Sequence, residues 1–501
     1  VTASALERLQ AAFSPETLRN TGHRLIDLLA SHLDKVQKSE GRVLNWAEPT
    51  ENVQRAADWL HSSGSEPLAE RFEQLVREML ARGHNLHDPR YIGHQVPAPV
   101  PLAGLFDAVG SVTNQVMAVY EMGPWATAVE RSLVNELGGI IGWPAGQFAG
   151  LITHGGSLAN LTGLLTARNV TLSGVWERGL TGADRPPVLV VQADAHYSLA
   201  RAAGVLGLGT GQVVKAALNA RRQMDPQKLD DLLARLRHDQ CSIVAVAACS
   251  CATPIGAFDP LDEIASVCRR YEVWLHVDAA HGGAACLSRK YRRLMYGVEQ
   301  ADSLVWDAHK MMFVPALCAF VFYRNGQHRF EAFQQNAPYL FDPSAPGLAD
   351  YDTGLLTPEC TKRAAAYGLW GVWSLFGREL FEDMLDRTFD LGRTLYERLV
   401  EASDFEPLHE PECNIVTFRH IPEALRQAPP QILDQFQLDL RRTLIRSGEF
   451  YIVQTNLDGR QALRVTIINP LTTAAHLDDL LNAIRSVGRK ILNESVTSRP
   501  Q

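Results

Sequence analysis

At 501 residues, with 46% apolar and 21% charged side chains, the chain is too long for one core and too apolar for disorder or a fibre. Its 48 basic and 56 acidic residues leave a net charge of −8 with no basic cluster, which argues against a nucleic-acid partner. No apolar run approaches the roughly 18–20 residues of a membrane span, Val1 to Arg19 lacks a signal-peptide core, and the eight cysteines are scattered through apolar segments, so reduced core thiols and a cytoplasmic location are expected.

The first ~85 residues read as helical, with Leu25, Ile26, Leu28, Leu29 and Leu33 on one stripe and Leu68, Phe72, Leu75, Val76 and Met79 on another. The prolines of Val96-Pro97-Ala98-Pro99-Val100-Pro101 then stop any helix, because proline has no amide donor. From 150 to 325 short apolar runs (Val188–Val191, Ile243–Ala247, Val273–Val277, Leu317–Phe322) alternate with helix-like segments such as Leu229–Leu236 and Leu261–Tyr271. That alternation predicts an α/β fold with a mostly parallel sheet covered on both faces, and a ligand site beyond the carboxyl ends of its strands. Residues 336–360, rich in Pro, Gly and Asp, read as a long exposed loop. Thr361–Leu375 reads as a helix and Phe405 to Ser486 as a smaller α+β region. Three regions are expected: a helical segment 1–90, a large domain 91–375 and a small domain 376–501.

The chemistry concentrates in VWLHVDAAHGG and ADSLVWDAHKMM, which begin at Val273 and Ala301. The run Val273–Val277 reads as a buried strand with Asp278 at its carboxyl end, and Lys310 follows a second apolar stretch, Ser303–Trp306. An isolated Asp and Lys are usually a solvated pair. A strand-end carboxylate and a loop lysine also suit pyridoxal phosphate, which is carried on a lysine amine and needs an anion to keep its ring nitrogen protonated.

Asp278-Ala279-Ala280-His281-Gly282-Gly283 resembles the D-A-[AS]-x-G-G motif of the group II pyridoxal-phosphate decarboxylases, and Asp307-Ala308-His309-Lys310 resembles their x-x-H-K motif. That family includes glutamate, aromatic amino acid, cysteine sulfinate and diaminobutyrate decarboxylases. The likeness implies fold type I, similar to aspartate aminotransferase, with pyridoxal 5'-phosphate on Lys310 and with Asp278, Ala280 and His309 around it. Thr153-His154-Gly155-Gly156-Ser157-Leu158-Ala159-Asn160 resembles the family's phosphate-binding turn, which implicates Gly156 and Ser157; a glycine pair opening a helix suits an anion on physical grounds too. Asp194-Ala195-His196-Tyr197-Ser198 resembles the segment whose histidine stacks on the cofactor ring, and Ala252-Thr253-Pro254-Ile255-Gly256-Ala257 the turn whose threonine lies near the ring hydroxyl. Asp350-Tyr351-Asp352-Thr353-Gly354 resembles a mobile catalytic loop that brings a tyrosine to the substrate, often in a partner subunit, with Tyr339 competing for that role. Leu463-Arg464-Val465-Thr466 resembles a strand whose arginine grips the substrate carboxylate, a match for the guanidinium fork.

The implied reaction is decarboxylation of an amino acid by a homodimer, with Lys310, Tyr351 and His196 catalytic and Arg464 binding substrate. Many relatives carry Asn or Ser where this chain has Asp307; a carboxylate there would repel phosphate unless turned away, so Asp307 is left outside the cofactor shell. Tyr120-Glu121-Met122-Gly123-Pro124 resembles glutamate-type relatives, whereas Arg90-Tyr91-Ile92-Gly93-His94-Gln95 resembles diaminobutyrate-type ones. An acidic substrate (glutamate, aspartate or cysteine sulfinate) is weighed against diaminobutyrate, lysine or an aromatic amino acid. Another fold type I lyase or an aminotransferase is the nearest rival chemistry. A metal hydrolase built on His276-x-Asp278-x-x-His281 and a non-catalytic cofactor sensor are more remote; no metal is expected.

Overall fold

The computed structural model describes residues 4–62, 66–180, 185–333 and 350–497. The chain divides into two compact units, one of Val1–His94, Arg398–Glu406 and Phe418–Gln501, the other of Gln95–Glu397 and Pro407–Thr417. The first and last stretches therefore belong to one unit, where the sequence suggested two separate regions.

In the first unit, helices α1 (Ala5–Ala12), α2 (Pro15–Gln37), α3 (Pro49–His61) and α4 (Leu68–Arg82) form the amino-terminal part. Ser14 caps α2 by accepting from the Thr17 amide, and Pro15 stands in its first turn, where a missing N–H costs nothing. The expected stripes face inward only in part: Ile26 and Met79 are exposed.

The second unit opens with α5 (Pro101–Val112), β1 (Val116–Met117), α6 (Pro124–Ile141) and β2 (Ala149–Thr153). It continues through α7 (Gly156–Thr171), α8 (Val175–Arg178), β3 (Val188–Gln192), α9 (Tyr197–Val205), β4 (Val213–Ala216), α10 (Pro226–His238) and β5 (Ile243–Cys249). Next come α11 (Leu261–Arg270), β6 (Leu275–Asp278), β7 (Ser303–Asp307), α12 (Ala308–Met311), β8 (Ala319–Tyr323) and β9 (Lys362–Arg363). A seven-stranded sheet has the order β2-β8-β7-β6-β5-β3-β4. It is parallel except where β8 lies antiparallel between β2 and β7. Every residue of β3, β5, β6, β7 and β8 is buried, as expected for strands covered on both faces. Helix α7 packs across β5, β7 and β8, while α10 and α11 pack together and reach β4 and β5. The α/β architecture expected from the alternating pattern is the one formed.

Helix α13 (Tyr367–Phe376) begins later than the expected Thr361, because Lys362 and Arg363 pair with Met117 and Val116 as a strand. Helix α14 (Glu379–Glu401) follows. A four-stranded sheet orders β10 (Phe405–Pro407), β11 (Ile415–His420), β13 (Arg460–Thr466) and β12 (Val453–Leu457). Helices α15 (Pro430–Ser447) and α16 (Ala474–Thr497) complete the chain. No described helix is long and apolar enough to cross a membrane. Six cysteines are buried, Cys360 is exposed, and none forms a disulfide.

A buried ion pair ties α6 to β9 beside β2. Lys362 Nζ donates to Glu130 Oε1 and Oε2 at 2.7 and 2.8 Å and to the Ile152 carbonyl at 2.7 Å, and Glu130 also accepts from the Ile152 amide. Glu130→Gln leaves an uncompensated ammonium in a site that is almost fully closed, and is expected to destabilise the fold by about 3–5 kcal/mol. Thermal unfolding of the cofactor-free protein measures this; an unchanged midpoint would show that water reaches Lys362.

Candidate active site

The carboxyl ends of β2, β3, β5, β6 and β7 open on one side, since β2 is antiparallel to β8 and β8 to β7. Five connections leave these ends, and they wall a cavity of about 350 Å³. Of the residues singled out from the sequence, Gly156, Ser157, His196, Thr253, Asp278, Ala280, His309 and Lys310 all line it.

Each side chain arrives there for a local reason. After β2 the chain turns at Gly155, whose φ of +110° favours glycine, and enters α7 at Gly156. A Cβ at Gly156 would come within 2.5 Å of Asp307 Oδ2, so only glycine lets the backbone lie this close. The first-turn amides of Gly156 and Ser157 have no intrahelical acceptor and sit at the positive end of the helix dipole. After β3, His196 is the N-cap of α9, its Nδ1 accepting from the Ser198 amide at 3.3 Å. The turn after β5 is closed by the Cys251 and Ala252 amides, which donate to the Ala257 carbonyl, and it presents Thr253. Asp278 is the last residue of β6, and β7 runs directly into the short helix that carries Lys310.

Asp278 is 8% exposed. Its Oδ2 accepts from Asn160 Nδ2 at 2.9 Å and its Oδ1 from the Ala280 amide at 3.2 Å. Burial pushes the His196 imidazole below its usual pKa, and this outweighs the opposite pull of Asp278. The ring is therefore neutral at neutral pH, a form that can lie against a cationic ring without charge repulsion. Lys310 Nζ lies 3.3 Å from Asp307 Oδ2.

Asp307 corrects the sequence reading. It was left outside the shell, but it lines the cavity, is 1% exposed, and its Oδ1 has no hydrogen-bond partner. At the end of β7 its amide donates to the Ala280 carbonyl, and its carboxylate is enclosed at the cavity wall. The ammonium of Lys310 offsets its charge, and the His309 ring stands beside it with Nε2 at 3.6 Å.

Two singled-out residues stand elsewhere. Tyr351 is 41% exposed and does not line the cavity; its ring packs edge-on against Tyr120, centroids 5.6 Å apart, under the guanidinium of Arg131. Its neighbours Asp352 and Thr353 are buried, and Asp352 Oδ1 accepts from the Tyr120 amide at 2.8 Å, so this part of the expected exposed loop is anchored. Tyr339 lies outside the described residues. Arg464 belongs to the other unit, where it is 7% exposed on β13 and its Nη2 donates to Thr466 Oγ1 at 3.3 Å.

Sequence reasoning gave no cofactor role to several lining residues: Gln95, His154, Asn160, His281 and Leu317. His154 Nδ1 is 2.7 Å from Glu359 Oε1, a pair between segments 205 residues apart that no local pattern signals. The proposed metal triplet is otherwise engaged. His276 uses Nδ1 with Ser303 Oγ at 2.7 Å and Nε2 with Asn160 Oδ1 at 2.9 Å, and His281 Nε2 meets Asn414 Oδ1 at 2.9 Å.

Comparison with known proteins decides the family. Residues 66–421 match the model of the pyridoxal-dependent decarboxylase conserved domain. The chain belongs to that family. It is a pyridoxal-phosphate-dependent amino acid decarboxylase. Acidic amino acid decarboxylase GADL1 of Bos taurus is 30% identical over 459 residues, spanning 89% of this chain and 86% of that protein. The Mus musculus protein of the same name is also 30% identical, over 89% of this chain and 82% of its own length. Among solved structures, mouse CSAD in apo form superposes with a TM-score of 0.86 at 27% identity, covering 95% of this chain and 99% of that one. Oryza sativa TDC with pyridoxal phosphate and tryptamine has the same TM-score at 21% identity, over 96% and 99% of the two chains, a likeness of fold. The architecture is thus fold type I.

The cavity of this decarboxylase fits its cofactor. A glycine turn that a Cβ would block, with unsatisfied helix-start amides, suits a phosphate. Lys310 is the single lysine among the lining residues, and Asp278 offers a buried carboxylate on the floor.

Proposed function

We propose that this decarboxylase acts on an acidic amino acid, with Lys310 carrying the cofactor, Asp278 facing the ring nitrogen and His196 lying on the ring. The observation behind the residue roles is the convergence of Lys310, Asp278 and the α7 amide turn on one cavity of about 350 Å³. The acidic class rests on relatives named acidic amino acid decarboxylase that match over 89% of the chain. Of the segment Arg90-Tyr91-Ile92-Gly93-His94-Gln95, which resembles diaminobutyrate-type relatives, Gln95 lines the cavity, whereas the Arg90 guanidinium is committed to structure: it pairs with Asp88 Oδ2 at 2.7 Å and donates to the Ser39 and Gly41 carbonyls.

Bound pyridoxal phosphate supplies a ring that takes up the electron pair left at Cα when carbon dioxide departs. The protein's part is placement. The amides of Gly156 and Ser157 and the His309 side chain would hold the phosphate, and Thr253 would meet the ring hydroxyl. Asp278 would keep a positive charge on the ring nitrogen, where it lowers the barrier most. Lys310, the single lysine among the lining residues, would hold the cofactor, and its amine could hold or accept a proton in the cavity. Arg464 is assigned to the substrate carboxylate from the strand motif alone; Arg464→Met raising KM far more than it lowers kcat would support that.

Tyr351 returns a proton to Cα. It does not line the cavity of its own chain, which favours action in the site of a second copy, and the segment spanning α1–α4 leaves Leu9, Phe13, Leu60 and Met79 exposed as apolar surface for such a copy to cover. A homodimer in sedimentation is the expected result. Tyr351→Phe is expected to slow amine formation by about 10²-fold, with part of the product appearing as the aldehyde where dioxygen serves as the oxidant and ammonia and hydrogen peroxide are released. Amine released at the wild-type rate would remove the tyrosine from the mechanism.

The direct test of substrate class is carbon dioxide release from glutamate, aspartate and cysteine sulfinate against diaminobutyrate, lysine and tryptophan. Release confined to the first three supports the proposal. Release confined to the others would overturn it.

A further inference from the structure

Beneath the cavity floor lies a fully buried histidine that the reaction does not use. His276 stands on β6, two residues before Asp278, and is 0% exposed. Burial pushes its pKa down to about 4, so the ring is neutral. Helix α7 makes room for it at Gly163, where a Cβ would come within 2.8 Å of His276 Cε1. One turn before Gly163, on the same face of α7, is Asn160.

The bonds around these residues allow one consistent assignment of protons. The Asp278 carboxylate can only accept, so Asn160 turns its Nδ2 to Asp278 Oδ2 at 2.9 Å and Ser198 Oγ at 3.1 Å, and its Oδ1 to His276. His276 therefore carries its proton on Nε2, and donates it to Asn160 Oδ1 at 2.9 Å. Its Nδ1 is left to accept from the Ser303 hydroxyl at 2.7 Å. The Ser303 oxygen accepts from Trp274 Nε1 at 2.9 Å. The Ser198 hydroxyl in turn donates to His196 Nδ1 at 2.8 Å, the nitrogen that also accepts from the Ser198 amide. His196 is left with its proton on Nε2. Turning the Asn160 amide over would set its oxygen against the Asp278 carboxylate and its NH₂ against the His276 N–H, two mismatches at once.

We propose that Asn160, oriented by His276, is a positioning residue that fixes both the Asp278 carboxylate and the tautomer of His196, the two groups assigned to the cofactor ring. His276 does not line the cavity, and the role given to Asn160 runs through Asp278 and His196, the residues it bonds or reaches by way of Ser198. The inference rests on the assignment of Asp278 and His196 made above.

The test combines nitrogen-15 NMR of histidine-labelled protein without cofactor and equilibrium dialysis with pyridoxal phosphate. In the wild type, His276 and His196 are both expected as Nε2–H tautomers; either ring protonated on Nδ1 would overturn the inference without any variant. Asn160→Leu removes both donors at similar volume. It is expected to mix the His196 tautomers and weaken cofactor binding by about 10-fold. His276→Gln, whose amide can still donate to Asn160 Oδ1, should restore most of the affinity that His276→Phe loses. An Asn160→Leu protein with an unchanged His196 tautomer and unchanged affinity would sink the proposal. Wild-type protein that fails to bind pyridoxal phosphate at all would instead sink the cofactor-site reading on which it depends.

Discussion

Replacing Lys310 with alanine is expected to remove decarboxylation almost completely, by about 10⁴-fold or more, while the folded protein persists. Lys310 is the single lysine among the cavity-lining residues, so no neighbouring amine can take over carriage of the cofactor. The substitution also has a structural consequence. Lys310 Nζ is 3.3 Å from Asp307 Oδ2, and the Oδ1 of that carboxylate already lacks a partner, so alanine leaves a buried charge with only His309 beside it. A drop in thermal stability is therefore expected alongside the loss of activity. Lys310→Arg separates the two effects, because a guanidinium keeps Asp307 paired but does not form the covalent link. Borohydride reduction followed by peptide mapping should fix pyridoxal phosphate to the peptide containing Lys310 in the wild type and to no peptide in either variant. Wild-type label on any other lysine, or activity retained by Lys310→Arg, would dismiss Lys310 as the carrier.

The residues that reach the cavity through their own strand or turn were legible in the sequence. Asp278 follows an apolar run that could only be a buried strand, and Gly155-Gly156-Ser157 precedes a run of leucines at helical spacing. Local pattern carries such positions because the strand end itself delivers the side chain. What stayed hidden depends on pairing across distance. Asn160 and His276 meet at 2.9 Å from positions 116 residues apart, and nothing in either local pattern announces the contact. Gly163 could have hinted at it, since a glycine inside a helix costs about 1 kcal/mol and needs a packing reason; that reason is the His276 ring. Asp307 was misread because electrostatic reasoning considered the phosphate alone. The nearby ammonium that makes a carboxylate tolerable there appears only in three dimensions. The union of Val1–His94 with Phe418–Gln501 in one unit is a long-range property of the same kind.

Changing Asp278 to asparagine is the second substitution with a large expected effect, and it tests the electrostatic half of the mechanism apart from the covalent half. Both carboxylate oxygens already accept a hydrogen bond, Oδ2 from Asn160 and Oδ1 from the Ala280 amide. An amide at this position must set its NH₂ against one of those two donors, whichever way it turns. It also carries no charge with which to hold a proton on the ring nitrogen. Loss of one preorganised electrostatic partner in a closed site typically lowers kcat by about 10²–10³-fold, and that range is expected here. Lys310 is untouched, so borohydride should still fix the cofactor to it. Asp278→Glu keeps the charge but moves it by one methylene, and should fall between asparagine and wild type. The combination of intact covalent attachment with a collapsed kcat is the signature that assigns Asp278 to charge stabilisation. A variant that attaches the cofactor and turns over within a few-fold of the wild type would mean that the ring nitrogen is served by another group.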